Sequence, residues 1–134
     1  MARILLVDDD TDLLAGQKAF LEKSGYHVET ATTIDDGVSL AASSKPDVII
    51  ADLMMEHYDS GFVFCKKVRE LPDMARIPII MQTAAPRKVG FTFEPGATAG
   101  REWMKVDEVL TKPVPLEHLL GKIGQYLSKK KRKG

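Results

Sequence analysis

The feature that most constrains the fold of this chain is a series of short, almost wholly apolar runs separated by segments with helical spacing. The runs are residues 4–7, 48–51, 77–81 and 109–110, with a weaker alternating stretch at 27–30. Strands this apolar are typical of a parallel sheet that is covered on both faces, where the alternation of polar and apolar residues disappears. The runs therefore predict five strands in an α/β protein.

Capping and breaking residues place helices between and after these runs. We expect helices to begin near Asp10 or Thr11, at Thr33, at Ser60 and after Pro115, and the first two to end at Ser24-Gly25 and before Lys45-Pro46. Residues 84–106 are interrupted by proline and glycine, which favours a long loop with a short helix near 99–105. The alternating order predicts a three-layer, doubly wound α/β fold with right-handed crossovers.

The balanced charge of the chain conceals a cationic end. Of 134 residues, 19 are basic and 19 acidic, but five of the cations are residues 129–133, and without them 14 positive charges face 19 negative ones. We expect one domain over residues 1–128 and a disordered basic tail over 129–134, because a run of like charges buries no apolar surface. A solvated end is favoured over contact with nucleic acid, with an anionic membrane or with a partner protein. No DNA-binding module is recognisable, so direct DNA binding is not expected.

Location is predicted from what the chain lacks. No apolar run approaches the roughly 20 residues that span a bilayer, and the start of the chain does not resemble a signal peptide. The lone cysteine, Cys65, lies among apolar residues of a predicted helix and is expected to face the core. These features predict a cytoplasmic protein without a membrane partner.

Polar residues follow the predicted strands at their carboxyl ends, where open parallel sheets carry their functional crevice. They are Asp8, Asp9 and Asp10 after the first strand, Asp52 after the third, Thr83 after the fourth and Lys112 after the fifth. Two carboxylates about 4 Å apart repel by about 4 kcal/mol at an effective dielectric near 20. A divalent cation would remove that cost, and ligands that are all hard oxygens favour Mg²⁺ or Mn²⁺ over Zn²⁺.

Asp52 is the natural nucleophile of such a site. It stands alone at a strand end, whereas Asp8 and Asp9 are adjacent and better suited to share a metal. A carboxylate beside a metal can attack phosphorus and form an acyl phosphate. Lys112 and Thr83 would then neutralise and bind the phosphoryl oxygens.

Four segments together resemble the receiver domains of response regulators in two-component signalling. They are ILLVDDD at 4–10, VIIADLMM at 48–55, Thr83-Ala84 and Lys112-Pro113, and the resemblance covers residues 3 to about 128. It implies a flavodoxin-like strand order of 2-1-3-4-5 and a single-domain switch of the chemotaxis-regulator type. Such a switch would accept phosphate from a sensor histidine kinase or a histidine phosphotransfer protein, would signal to a downstream protein through protein contacts, and would not be an enzyme.

The resemblance also assigns roles to individual residues. Asp52 would be phosphorylated; Asp9, Asp52 and the Met54 carbonyl would bind Mg²⁺, with Asp8 acting mainly through a metal-bound water; Thr83 and Lys112 would sense the phosphoryl group; and the bond to Pro113 would be cis.

The chain departs from the family pattern at several positions. Val109 stands where the family usually has the tyrosine or phenylalanine that takes part in the conformational readout. The segment from Thr83 to Lys112 is longer than usual, and the loop after Asp52 carries Glu56, which either approaches the site or is solvated. The residues that often tune acyl-phosphate lifetime are Met54 and Ala85, which orient water poorly and predict slow to moderate autodephosphorylation.

Three other functions are alternatives to a phosphorylated receiver switch. A phosphorylation-independent interaction module with the receiver fold is favoured by Val109 and opposed by the complete set of site residues. A metal-dependent phosphohydrolase usually needs a second acidic residue two positions after the nucleophile, where this chain has Met54. A nucleotide-binding Rossmann domain is disfavoured because no glycine-rich phosphate loop follows any strand.

Overall fold

Strands and helices alternate along the chain in the computed structural model, which describes residues 2–52, 60–83 and 106–133, with the backbone alone described at 60–62 and 129–133. The elements are β1 (Arg3–Val7), α1 (Thr11–Lys23), β2 (His27–Ala31), α2 (Ile34–Ser44), β3 (Val48–Asp52), α3 (Ser60–Arg69), β4 (Ile79–Thr83), β5 (Glu108–Thr111) and α4 (Leu116–Lys133). The expected helix near 99–105 lies outside the described residues.

The five strands form one parallel sheet in the order β2-β1-β3-β4-β5. The predicted α/β class and strand order are thereby confirmed. Because β1 and β3 lie at the middle of the sheet, their carboxyl ends adjoin each other and the end of β4. The order of the strands thus brings the predicted site residues to one edge.

Apolar side chains cover both faces of the sheet, as the apolar runs predicted. Leu5 and Val7 point into a core with residues of α2 and α3, whereas Ile4 and Leu6 point into a second core with residues of α1 and α4. This alternation along β1 is the pleat of a strand buried on both sides. Cys65 is fully buried in the first core, as predicted.

The ends of the first two helices follow the predicted capping chemistry. Leu13 donates its backbone N–H to Asp10 Oδ1 at 3.0 Å, and Asp36 donates to Thr33 Oγ1 at 3.1 Å. Gly25 follows α1 with φ of 103°, a left-handed conformation that glycine adopts without strain. These local signals set the bounds of α1 and α2 that the sequence predicted.

Most elements differ from their predicted bounds by one or two residues, and two of the differences have a physical reason. The fourth strand starts at Ile79 instead of residue 77, because Pro78 has no N–H to donate to a neighbouring strand. Helix α4 runs on to Lys133, so the backbone of residues 129–133 is helical where a disordered tail was predicted. Lysine and arginine are good helix formers, and cations near a helix carboxyl terminus interact favourably with its dipole. The division of the chain at residue 128 stays a prediction.

None of the helices in the described part of the chain combines the length and the apolar character that crossing a membrane requires.

Candidate functional site

The carboxyl edge of the sheet gathers the polar residues that the sequence singled out. Asp8 directly follows β1, Asp52 and Thr83 are the last residues of β3 and β4, and Lys112 directly follows β5. Their backbones are held by the sheet itself: Asp8 donates its N–H to Ala31 O at 3.0 Å, and Lys112 donates to Thr83 O at 2.8 Å. The site is therefore built on strand ends that the parallel register aligns.

Three carboxylates converge at this edge. One oxygen from each of Asp8, Asp9 and Asp52 lies within 4.8 Å of the others. Asp8 is 1% exposed and Asp52 6% exposed, while Asp9 lies at the surface. Hard oxygens at this separation match the ligand preference of Mg²⁺ or Mn²⁺, and the exposed Asp9 leaves the cluster open to solvent. The donor set thus fits the predicted divalent cation.

Lys112 supplies the positive charge of the cluster. Its Nζ donates to Asp8 Oδ2 at 2.8 Å and lies 3.5 Å from Asp52 Oδ2. Burial by itself would lower the pKa of Lys112, but the hydrogen bond to Asp8 and the charges of Asp52 and Asp8 outweigh it, so that its pKa is raised above 10.5. The side chain is therefore a fixed ammonium at neutral pH. The bond between Lys112 and Pro113 is cis, as the resemblance implied.

Asp8 is held in place by contacts on both carboxylate oxygens. The backbone N–H of Asp10 donates to Asp8 Oδ1 at 3.0 Å, and Lys112 occupies the other oxygen. Asp10 itself caps α1, as one of the two candidates for that role. A carboxylate this constrained is a good orienting group and a poor nucleophile, which favours Asp52 over Asp8 as the residue that reacts.

Thr83 carries a hydroxyl without a hydrogen-bond partner in the described part of the chain. The residue is 1% exposed and its Oγ1 is fully buried. A buried polar atom without a partner costs about 1–3 kcal/mol, so such atoms call for an explanation. A ligand oxygen arriving at this edge of the sheet would supply the missing partner.

Val109 lies in the apolar core instead of at the rim of the site. It is 5% exposed, belongs to the core beneath α2 and α3, and pairs in register with Met81 of β4. Pro113 follows in the segment between β5 and α4. Three residues to which the sequence assigned roles fall outside the described residues: Met54, Glu56 and Ala85.

A buried polar pair next to the site was not predicted from the sequence. Gln17 Nε2 of α1 donates to Gln82 Oε1 of β4 at 3.0 Å, and the two residues are 1% and 2% exposed. The only signal for this pair was one polar residue at the end of an otherwise apolar strand. Nothing in the sequence joined it to a glutamine 65 positions earlier.

Comparisons with known proteins agree on one family. Residues 4–124 match the response regulator receiver domain. The chain is 34% identical to protein PilH of Pseudomonas aeruginosa, across 96% of this chain and 99% of that protein. It is also 34% identical to the DNA-binding dual master transcriptional regulator RpaA of Synechocystis, of which it spans about half, 52%.

Solved structures with the same fold include two that are similar over almost their whole length. The chemotaxis response regulator CheY4 of Vibrio cholerae is 28% identical, with a TM-score of 0.79 over 94% of this chain and 98% of that one. A CheY-like receiver domain protein of Methanospirillum hungatei is 27% identical, with a TM-score of 0.78 over 100% and 99% of the two chains.

Proposed function

The chain belongs to the response regulator receiver domain family, whose members are switches of two-component signalling and not enzymes, and from this premise we propose that Asp52 is its phosphoryl acceptor. The donor is a phosphohistidine, carried by a sensor histidine kinase or a histidine phosphotransfer protein. The phosphorylated chain then acts on a downstream protein through protein contacts.

The observation that carries this proposal is the environment of Asp52. It is buried at a strand end, within 4.8 Å of two further carboxylates and 3.5 Å from the Lys112 ammonium. A carboxylate oxygen of Asp52 attacks the phosphorus of the donor and forms the new O–P bond. The N–P bond of the phosphohistidine breaks, and its electron pair returns to the imidazole nitrogen. The anionic phosphoryl group on Asp52 then lies beside the Lys112 ammonium.

Asp8, Asp9 and Asp52 are the residues that would hold Mg²⁺ or Mn²⁺, with the Met54 carbonyl as a further ligand from the resemblance. When bound, the cation supplies charge neutralisation for the phosphoryl oxygens. Lys112 and Thr83 bind those oxygens from the side of β4 and β5. Thr83 suits this role because its hydroxyl has no other partner in the described part of the chain.

Autodephosphorylation is expected to be slow to moderate. The side chains of Met54 and Ala85, at positions that tune this rate in the family, do not orient water well. A phosphoryl half-life of seconds in the presence of Mg²⁺ would contradict this part of the proposal. We place the protein in the cytoplasm, where histidine kinases present their phosphate.

Mass spectrometry of the intact protein tests the acceptor. After incubation with phosphoramidate and Mg²⁺, we expect a gain of about 80 Da, the mass of one phosphoryl group in an acyl phosphate. The gain should vanish in Asp52→Asn and without divalent cation. Asp12→Asn is the matched control, because Asp12 lies in the first turn of α1 outside the cluster, and it should be phosphorylated like wild type.

The burial of Val109 favours one alternative, an interaction module with this fold that works without phosphorylation. An absent mass gain with phosphoramidate, acetyl phosphate and a phosphorylated histidine kinase would support that alternative over the acceptor.

A further inference from the structure

The buried amide pair of Gln17 and Gln82 has no evident role in stability. Burying two carboxamides is costly, and their single mutual hydrogen bond at 3.0 Å leaves Gln17 Oε1 buried without a partner in the described part of the chain. Replacing both partners of a buried hydrogen bond by apolar side chains of similar shape can be nearly neutral or even stabilising. The pair therefore calls for a functional explanation.

The sheet register places Gln82 directly beside the acceptor. Asp52 and Gln82 are paired across β3 and β4, and Asp8 comes one residue after the pair formed by Val7 and Ala51. The three side chains consequently form one row across the edge of the sheet, with Asp52 in the middle.

All three side chains of this row face the same side of the sheet. Ile50 and Ile80 belong to the core beneath α1 and α4, and residues two apart in a strand share a face. Asp52 and Gln82 follow them by two positions and so face α1, where Gln17 meets Gln82.

Lys112 reaches its partners across β4. It directly follows β5, and β4 separates β5 from the strand of Asp52. Its Nζ lies 3.5 Å from Asp52 Oδ2 and 2.8 Å from Asp8 Oδ2, so the lysine and aspartate side chains together bridge β4. Gln82 is the β4 residue of the row, between the origin of Lys112 and its two carboxylates.

We propose that Gln82, oriented by Gln17, is a positioning residue that supports the reach of Lys112 across β4 to Asp8 and Asp52. The amide pair fixes the β4 side chain that lies between the start of the lysine side chain and its two carboxylates. It thereby holds the ammonium where it neutralises the phosphoryl group during transfer. This inference rests on the proposed function of Asp52 and names a further determinant of its rate.

The test is the double variant Gln17→Met/Gln82→Met, which removes both amides and keeps their approximate length. Its melting temperature should equal or exceed that of wild type. Phosphorylation by phosphoramidate at saturating Mg²⁺ should slow by roughly tenfold, less than the ~100-fold that a misplacement of about 1 Å can cost.

The matched control is Leu14→Met/Ile80→Met, which repacks the same helix and strand on the same face and keeps the amide pair. It should react at the wild-type rate. Equal slowing of both double variants would mean that general repacking is responsible, which overturns the proposal. Wild type that gains no phosphoryl mass would overturn the proposed function and this inference with it. A reactive wild type and an equally fast glutamine variant would overturn this inference alone.

A second measurement uses the wild-type protein and needs no variant. The side-chain amide resonances of Gln17 and Gln82 in the ¹⁵N-labelled protein should shift when Mg²⁺ and phosphoramidate are added, with the amides of exposed Gln125 as the control. Unchanged Gln82 resonances in a phosphorylated sample would refute the placement of Gln82 beside the phosphoryl group, on which the proposal depends.

Discussion

Replacing Lys112 by methionine should measure how much the lysine ammonium contributes to the stability of the site. The ammonium lies 2.8 Å from Asp8 and 3.5 Å from Asp52, whose side chains are 1% and 8% exposed. At an effective dielectric of about 20, these separations correspond to attractions of roughly 6 and 5 kcal/mol. Much of this attraction offsets the cost of desolvating the three charges.

We expect Lys112→Met to lower the free energy of unfolding by about 3 kcal/mol in the absence of divalent cation. Removing one partner of a buried ion pair costs about 3–5 kcal/mol, and the partial exposure of the lysine places the effect at the lower end of that range. The loss arises because two nearly buried carboxylates then repel each other without compensation.

Urea unfolding followed by circular dichroism, in buffer with a chelator, measures this loss. Lys122→Met is the matched control, because Lys122 lies 2.7 Å from Glu108 but both side chains are more exposed, at 25% and 18%. That variant should lose only about 0.5–1 kcal/mol, as exposed pairs do. Saturating Mg²⁺ should stabilise Lys112→Met more than it stabilises wild type. Equal losses of stability in the two lysine variants, or the absence of any stabilisation by Mg²⁺ in Lys112→Met and wild type, would refute this role of Lys112.

Three further predictions concern other parts of the fold. Gly37→Ala should destabilise the protein by roughly 1 kcal/mol, because the added Cβ would lie 2.9 Å from Phe64 Cε1 and this overpacking outweighs the gain in helix propensity. Gly121→Ala should stabilise the protein by about 0.5–1 kcal/mol, because the space around Gly121 is open. Urea unfolding measures both changes. Desolvation raises the pKa of the Cys65 thiol to about 12, so alkylation at pH 8 should be at least ~100-fold slower in the native protein than in urea, and equal rates would contradict its burial. The stabilisation by Lys112 is fully present at pH values below 10.5 and is lost as pH rises through its raised pKa. The difference in unfolding free energy between wild type and Lys112→Met should therefore be constant from neutral pH to about 10 and then decrease. A difference that decreases between pH 7 and 9 would be inconsistent with that pKa.

The sequence was sufficient for those parts of the fold that local chemistry determines. Asp10 and Thr33 carry oxygens that accept N–H groups at helix starts, and this signal is read without knowledge of the rest of the chain. The edge residues were equally accessible, because parallel order alone brings the ends of central strands together. This is why Asp8, Asp52 and Lys112 were placed correctly.

The features that could not be predicted from the sequence depend on how the elements pack and pair in three dimensions. Apolar character reports burial and not hydrogen bonding, so Ile77 was counted with the fourth strand although it is buried outside it. The amide pair of Gln17 and Gln82 was missed for a related reason. Each glutamine alone is an ordinary residue, and only the packing of α1 on β4 shows that they meet.

The readout of the proposed switch must differ from one based on an aromatic side chain that changes position. Val109 is packed in the core beside Met81, and a valine has no ring to move between core and surface. Thr83, in contrast, has a hydroxyl that can gain a hydrogen bond without losing one within the described residues, a change of about 1–3 kcal/mol in favour of the phosphorylated state. The carbonyl of the same residue accepts the N–H of Lys112 at 2.8 Å, so any displacement of Thr83 toward Asp52 pulls on the end of β5. In the proposed switch we therefore expect the backbone connection between β4 and β5, next to the segment that leads into α4, to carry the signal.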